Sequence, residues 1–284
     1  VGKFRNTGLP FAMVLLIAFA LTAHASGESC KAREKSGNNK WRSIGSGVDV
    51  KMVQIRFEDG IVSRMSAVRL DPAQFDIRLR WKVVQKNRFD PARKIARNTN
   101  ATVVVNAGYF DENGRPLGYF QTGETVFNRR LLFRGRRRSL HLGAIFYVLK
   151  GSGKVGIATR EDFESKGVRE AFQAGPYLVR GGQPEFGLEG YREYRRTDRR
   201  TVLAFGKKGR LIFLVSEEIG RGISWCELQD FLPRTELNGG LGVIEAMNLD
   251  GGSSSQLVVQ GKGYSTVLTG RTVPALILAL PRVR

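Results

Sequence analysis

The sequence predicts an α+β fold, a large mixed or antiparallel sheet layered with a few helices in a single domain. Short apolar runs rich in β-branched residues recur along most of the 284-residue chain. Helical periodicity is confined to a few stretches, and no Pro-rich or Ser-rich linker divides the sequence.

At the N-terminus, Lys3 and Arg5 precede an uncharged stretch from Phe11 to Leu21 and the small-residue triplet Ala23-His24-Ala25. Basic, apolar and small segments in that order are those of a secretory leader, cleaved after Ala25. The apolar stretch is too short to cross a bilayer as a helix, which needs roughly 20 residues, so no stable membrane insertion is expected after cleavage. The expected organisation is a leader over 1–25, an N-terminal arm over 26–47 with disorder between Glu28 and Lys40, and one domain over 48–284. The expected location is the periplasm or the extracellular space.

Strands are expected at Val48 to Phe57, Ile61 to Leu70, Phe75 to Val84, Ala101 to Val105, Ala144 to Leu149, Thr201 to Gly206, Leu211 to Ser216 and Gly242 to Met247. Glu58-Asp59-Gly60 joins the first two as a hairpin turn. Helices are expected at Pro91 to Asn98, Arg160 to Gln173 and Ser224 to Leu232. The last opens with Ser224 as N-cap and Glu227 as its capping-box partner. Gly151-Ser152-Gly153 lacks the third glycine of a dinucleotide fingerprint and reads as a hairpin turn.

The net charge of +20 favours anionic partners. Basic residues gather at Arg134 and Arg136 to Arg138, read as a solvated hairpin tip, and at Arg192, Arg195, Arg196, Arg199 and Arg200. Aromatic residues are not interleaved with them apart from Tyr191 and Tyr194, so no nucleic-acid partner is expected. Cys30 and Cys226 are open to pairing in an oxidising compartment or to standing as two thiols. Beyond the leader only His141 remains, read as a strand-surface residue, which argues against a Ser-His-Asp triad and a zinc site. No cofactor is expected, although an oxygen-ligated Ca²⁺ or Mg²⁺ using Asp250 stays open.

Chemistry is expected where small and polar residues follow apolar runs directly, because strands fix the base of a site while glycines clear space above it. Asn106-Ala107-Gly108-Tyr109-Phe110, Ala174-Gly175-Pro176-Tyr177-Leu178 and Arg199-Arg200-Thr201 are such junctions. The most informative is Asn248-Leu249-Asp250-Gly251-Gly252-Ser253-Ser254-Ser255, which places a carboxylate, paired glycines and hydroxyls at a strand end.

Taken in order, with Ala246 before the last segment and Gly222 leading to Glu227-Leu228, these junctions resemble the phosphodiester glycosidase family over roughly Ala101 to Leu280. Asp198-Arg199 stands where that family commonly has a proline before the Arg-Thr pair. The resemblance implies hydrolysis of a sugar-1-phosphodiester at the anomeric carbon, releasing free sugar and a phosphomonoester. Asp250, Arg200 and Asn106 are the expected catalytic residues. Arg200 suits the phosphate, because a guanidinium holds two oxygens at once, and Asp250 suits the anomeric centre as nucleophile or base. Asn248, Gly251, Gly252, Ser253, Gly108 and Gly175 are the expected substrate-binding residues, with backbone N–H groups of the paired glycines forming an anion nest. A second carboxylate stays open among Asp111, Glu124 and Glu245, although alternation sets Glu245 and Asp250 on opposite faces. The alternative function is a non-catalytic binding protein for anionic envelope polysaccharide that uses the arginine clusters.

Overall fold

A computed structural model describes residues 30–34, 40–57, 59–81, 91–133, 139–217 and 221–282. The expected leader, most of the expected disordered stretch and the arginine cluster from Arg134 to Arg138 lie outside the described residues, as do Glu58 and the last residues of the strand expected to reach Val84.

The chain opens with strands β1 (Ala32–Glu34), β2 (Arg42–Gly45), β3 (Val48–Phe57), β4 (Val62–Leu70) and β5 (Phe75–Trp81), then helix α1 (Ala92–Thr99) and β6 (Val103–Asn106). Next come β7 (Phe120–Thr122), β8 (Thr125–Asn128), β9 (Ala144–Leu149), β10 (Val155–Thr159), β11 (Val168–Ala174), β12 (Tyr177–Arg180) and β13 (Gln183–Pro184). It closes with β14 (Thr201–Gly206), β15 (Leu211–Ser216), helix α2 (Trp225–Phe231), β16 (Val243–Asn248), β17 (Leu257–Gly261), β18 (Tyr264–Leu268) and β19 (Ala275–Pro281).

These strands form three sheets, a nine-stranded one in the order β1-β3-β4-β15-β14-β16-β12-β13 with β2 also on β3, and two of five strands, β10-β9-β11-β7-β8 and β18-β17-β6-β19-β5. Every pairing described is antiparallel. The architecture is therefore richer in sheet than the balanced α+β fold expected, with two α-helices among the described residues.

Alternation explains how the sheets layer. In β14, Leu203 and Phe205 point into a core shared with Phe146 and Phe172 of one smaller sheet and Val105 and Ile277 of the other. Val202 and Ala204, one residue out of step, face the opposite side, where they meet Trp225 and Leu228 of α2 together with Leu232. Helix α1 covers the outer face of the third sheet through Ile95 and Ala96 against Val104, Leu276 and Leu278. Each such aliphatic or aromatic side chain contributes about 1.5–3 kcal/mol when withdrawn from water.

Helix α2 begins as read, with Ser224 accepting from the Glu227 N–H and Glu227 accepting in return from the Ser224 N–H at 2.8 Å. The helix expected from Arg160 to Gln173 does not form. Its second half is β11, the centre of a five-stranded sheet, paired on both sides with β9 and β7. Sheet pairing there decides over local propensity: Glu170 is buried at 1 % exposure and accepts from the Leu79 N–H at 3.2 Å, a contact available only to a strand lying across β5.

Cys30 and Cys226 form a disulfide, with their Cα atoms 5.3 Å apart across a sequence separation of 196. It ties the segment before β1 to α2, and the Ala32 N–H donates to Asp230 at 2.9 Å beside it.

Candidate active site

The ends of the three sheets meet at one place. There β6 ends at Asn106, β14 starts at Thr201, β16 ends at Asn248 and β11 runs into Gly175. Asn106 is the clip that joins them. Its buried amide donates to the Asp250 carbonyl at 2.7 Å, while its Oδ1 accepts from the Thr201 hydroxyl at 2.9 Å and from the Gln256 N–H at 3.1 Å. Both ends of the 250–256 loop are thus held to a strand of one sheet, and that strand to a strand of another. The loop is pinned further by Asp250 N–H to Ala107 O at 3.2 Å and Gly252 N–H to Arg199 O at 2.8 Å.

Small residues are required where chains approach this closely. A Cβ at Gly251 would stand 2.7 Å from the Arg199 carbonyl, and one at Gly108 2.9 Å from that of Gln173, so side chains there would part the strands. Gly175 has a φ of +147°, a conformation left to glycine, and its carbonyl receives the Tyr109 hydroxyl at 2.6 Å.

Above the clip opens a cleft of about 570 Å³, within the range of small-molecule sites. Its floor is Tyr109, Asn248 and the loop from Asp250 to Ser254. One wall carries Phe110, Asp111, Glu112, Leu117 and Arg271; the other carries His141, Glu193, Asp198, Arg200 and Trp225. Of the residues expected to bind or react, Asp250, Arg200, Asn248, Gly251, Gly252 and Ser253 therefore converge on one cavity. Asn106, Gly108 and Gly175 do not line it; they lie beneath, where they hold its floor.

Asp250 is mostly withdrawn from solvent, and burial pushes its carboxyl above the usual carboxylate range. Hydrogen bonds from the Ser254 side chain and the Gly251 N–H, and the more distant Arg271, oppose that shift in part. Among the described residues no cation forms an ion pair with it. The Gly252 N–H donates to Arg199 O, so it is not free for the expected anion nest.

Arg200 is 7 % exposed. Its Nε donates to Ile223 O at 3.2 Å, its Nη2 donates to Arg196 O at 2.8 Å, and its guanidinium lies over the Trp225 ring at 5.4 Å. Burial lowers its pKa, but from a starting point so high that it stays charged. These contacts use one edge of the guanidinium and fix its direction; the Nη1 group keeps no partner among the described residues.

Tyr109 and Asn248 fill the floor between them. Asn248 donates through Nδ2 to the Tyr109 hydroxyl at 2.9 Å, to Leu249 O at 2.6 Å and to Gly175 O at 3.3 Å, while its buried Oδ1 has no partner among the described residues. Burial, with the charge of Asp250 adding to it, raises the Tyr109 hydroxyl well above its ordinary value, so it stays protonated.

The expected partner carboxylates separate. Asp111 lines the cleft, with Oδ1 engaged by the Asn113 and Arg115 N–H groups. Glu124 pairs with Lys150 at 2.9 Å away from the site, and Glu245 accepts from the Tyr177 hydroxyl and, at 3.0 Å, from the Gly181 N–H. Three further acids line the cleft, Glu112, Glu193 and Asp198, of which the last two carry no sequence signal because they sit among arginines in an unpatterned loop.

His141 is not a strand-surface residue. It lies in the 3₁₀ turn Leu140–Leu142, edge-on to Tyr191 and Trp225 at 4.6 and 5.1 Å between ring centres, with Nε2 3.6 Å from a Glu193 oxygen. Burial lowers its pKa, and Glu193 works against that shift. Among the described residues no group of His, Cys, Asp and Glu is arranged to hold a metal ion.

The fold is shared with the catalytic domain of zebrafish N-acetylglucosamine-1-phosphodiester alpha-N-acetylglucosaminidase, auto-inhibited by its pro-peptide. That structure matches with a TM-score of 0.60 and 18% identity, over 89% of this chain and 88% of the other. A hypothetical protein from Synechocystis matches with a TM-score of 0.58 and 18% identity, over 87% of this chain and 64% of that one. No curated protein matches the sequence. The phosphodiester glycosidase family model matches residues 99–279, a run that contains every junction meeting at the cleft, from Asn106 through Arg200 to Asp250. This chain belongs to the phosphodiester glycosidase family.

Proposed function

We propose that this protein is an exported hydrolase that cleaves sugar-1-phosphodiesters at the anomeric carbon and releases a free sugar and a phosphomonoester. One observation carries the reading: a carboxylate mostly withdrawn from solvent and without an ion-pair partner among the described residues, Asp250, and a fixed, directionally held guanidinium, Arg200, line the same cleft. A site built only to bind anions has no use for an unneutralised acid on its floor, whereas catalytic acids are found in such environments.

In this reading Arg200 holds the phosphate and Asp250 faces the anomeric carbon. The C1–O bond breaks with its electron pair leaving on the phosphate, which is already a good leaving group, so the main demand is to stabilise an oxocarbenium-like centre. Asp250 meets that demand either by bonding to C1, for water to displace later, or by taking the proton of an attacking water. The Ser253 hydroxyl and the Asn248 amide are placed to orient oxygens of the substrate. Asn106 acts through the loop it holds.

Export is supported by the leader-like N-terminus and by a disulfide, which persists in oxidising compartments. The test is release of free sugar from a panel of sugar-1-phosphodiesters, including UDP-N-acetylglucosamine and an aryl-phosphate analogue. Asp250→Asn is expected to lower kcat by about 10²–10⁴-fold. Full activity in Asp250→Ala would remove Asp250 from the site, and inactivity across the panel would favour the binding-protein reading.

A further inference from the structure

The wall that carries Arg200 also carries the one histidine beyond the expected leader, His141, and the two side chains share a support. Trp225 provides it: the Arg200 guanidinium lies over its ring at 5.4 Å, and the His141 ring meets it edge-on at 5.1 Å. The imidazole is thereby set beside the group that holds the phosphate in the proposed reaction. Its side chain keeps 35 % of its surface exposed, so a ligand in the cleft can reach it.

The turn that carries His141 is held on several sides. The Leu140 N–H donates to the Tyr191 hydroxyl at 2.8 Å, and the Leu142 carbonyl accepts from Gln173 Nε2 at 2.7 Å. Gly175 lies so close that a Cβ there would stand 2.8 Å from the His141 carbonyl. Support of this kind fixes the direction of a side chain that has to meet one atom of a substrate. Glu193, from the neighbouring 3₁₀ turn Arg192–Tyr194, brings a carboxylate oxygen 3.6 Å from His141 Nε2, an ion pair when the imidazole is protonated. The titratable groups that face His141 are Glu193, Arg200 and Tyr191. Of the two charged ones, Glu193 favours the imidazolium and Arg200 opposes it.

We propose that His141, with Glu193 behind it, donates a proton to the leaving phosphate. This rests on the proposed reaction. As the C1–O bond breaks, its electron pair passes to the bridging oxygen, and that oxygen takes the proton of the imidazolium. The phosphomonoester leaves as a monoanion and the imidazole is left neutral; the proton released when water adds to C1 restores it. Donor and acceptor are matched, since a phosphomonoester has a second pKa of about 6 and a histidine ordinarily one of about 6.5. Proton transfer is most effective between groups whose pKa values lie near the working pH. Arg200 cannot supply this proton, because a guanidinium keeps its own at any working pH.

The experiment compares two diesters of the same sugar, one that releases methyl phosphate and one that releases the less basic 4-nitrophenyl phosphate. His141→Gln is expected to lower kcat about 10²-fold on the methyl compound and less than about tenfold on the nitrophenyl one, because the weaker base needs the proton less. The donor acts in its protonated form, so wild-type kcat/KM falls as pH rises through the folded His141 pKa, and this alkaline limb is expected to vanish in His141→Gln. Glu193→Gln, at a side chain 33 % exposed, is expected to move the limb to lower pH by removing the anion that favours the imidazolium. Equal losses on both diesters with the limb kept, or no loss on either, would overturn the donor and leave the hydrolase reading standing. Should His141→Gln fail to fold, the Glu193→Gln profile decides, and a limb that stays in place overturns the donor. A wild-type protein that releases no sugar from either diester removes the donor and the hydrolase reading together.

Discussion

In the proposed reaction, Asp250 sets activity and stability against each other. Its folded-state pKa is raised by burial, so the folded protein holds this proton more tightly than the unfolded chain does. The favourable contribution of the protonated group is fully present below the unfolded pKa and is lost as pH rises through the folded one. At neutral pH the ionised carboxylate therefore costs stability. Asp250→Asn is expected to raise Tm at pH 7, by an amount that shrinks toward low pH, while removing activity; thermal unfolding of both proteins across pH 4–7 checks it. If the proposed reaction uses the ionised form, the same shift is expected to place the acid limb of the wild-type kcat/KM profile above the range of an ordinary Asp. A limb at an unshifted carboxylate pKa would mean that another group titrates.

Arg200 is a second residue-scale case. Its backbone-facing contacts and the Trp225 ring fit a planar fork, which lysine cannot reproduce. Arg200→Lys is expected to raise KM for the phosphodiester at least tenfold despite the conserved charge, with steady-state kinetics as the readout. A variant with unchanged KM would place the phosphate elsewhere.

At the scale of elements, strand ends and the loop between them matter more than any single strand. Asn106 terminates β6 and makes three hydrogen bonds that bind the 250–256 loop and β14 to it. Replacing it with alanine leaves the Thr201 hydroxyl and the Gln256 N–H without their acceptor in a buried place. Asn106→Ala is expected to cost about 2–4 kcal/mol, measured by denaturant unfolding. Its kcat should fall more than its KM rises, since the residue acts on the geometry of Asp250 and lines no part of the cleft. Helix α2 is held in a comparable way. Cys226 follows Trp225, the ring beneath Arg200, and its disulfide to Cys30 closes a loop with a sequence separation of 196. Cys30→Ser is expected to lower stability by about 2–5 kcal/mol in unfolding experiments.

Elements also show how far the sequence could be read. The strands at Val48–Phe57, Ala144–Leu149, Thr201–Gly206 and Leu211–Ser216 were legible to the residue, the first by alternation and the others as short apolar runs with β-branched residues, too short for a buried helix. The capping box of α2 was legible for the same local reason. The segment from Arg160 to Gln173 was not, since its mixed pattern admits a helix until β9 and β7 offer partners on both sides.

For the whole molecule, three antiparallel sheets share a core and bring their strand ends to one seam. The cleft forms there because the seam is where backbone pairing stops and polar side chains take over the hydrogen bonding. Residues from widely separated segments, Tyr109, His141, Arg200 and Asp250, become neighbours only through that arrangement. The outer surface carries the positive charge and the cleft interior carries the carboxylates.

The sequence by itself determined the family, the strand-rich character and the four junctions that supply Asn106, Gly175, Arg200 and Asp250, since each is written in residues that are contiguous. Tertiary structure alone decided that Asn106, Gly108 and Gly175 lie under the site while His141, Glu193 and Asp198 enter it. It also decided that Cys30 meets Cys226. Local pattern fixes which face of a strand a residue takes, but which strands come to lie side by side depends on burial summed over the whole chain, and no short stretch of residues records that sum.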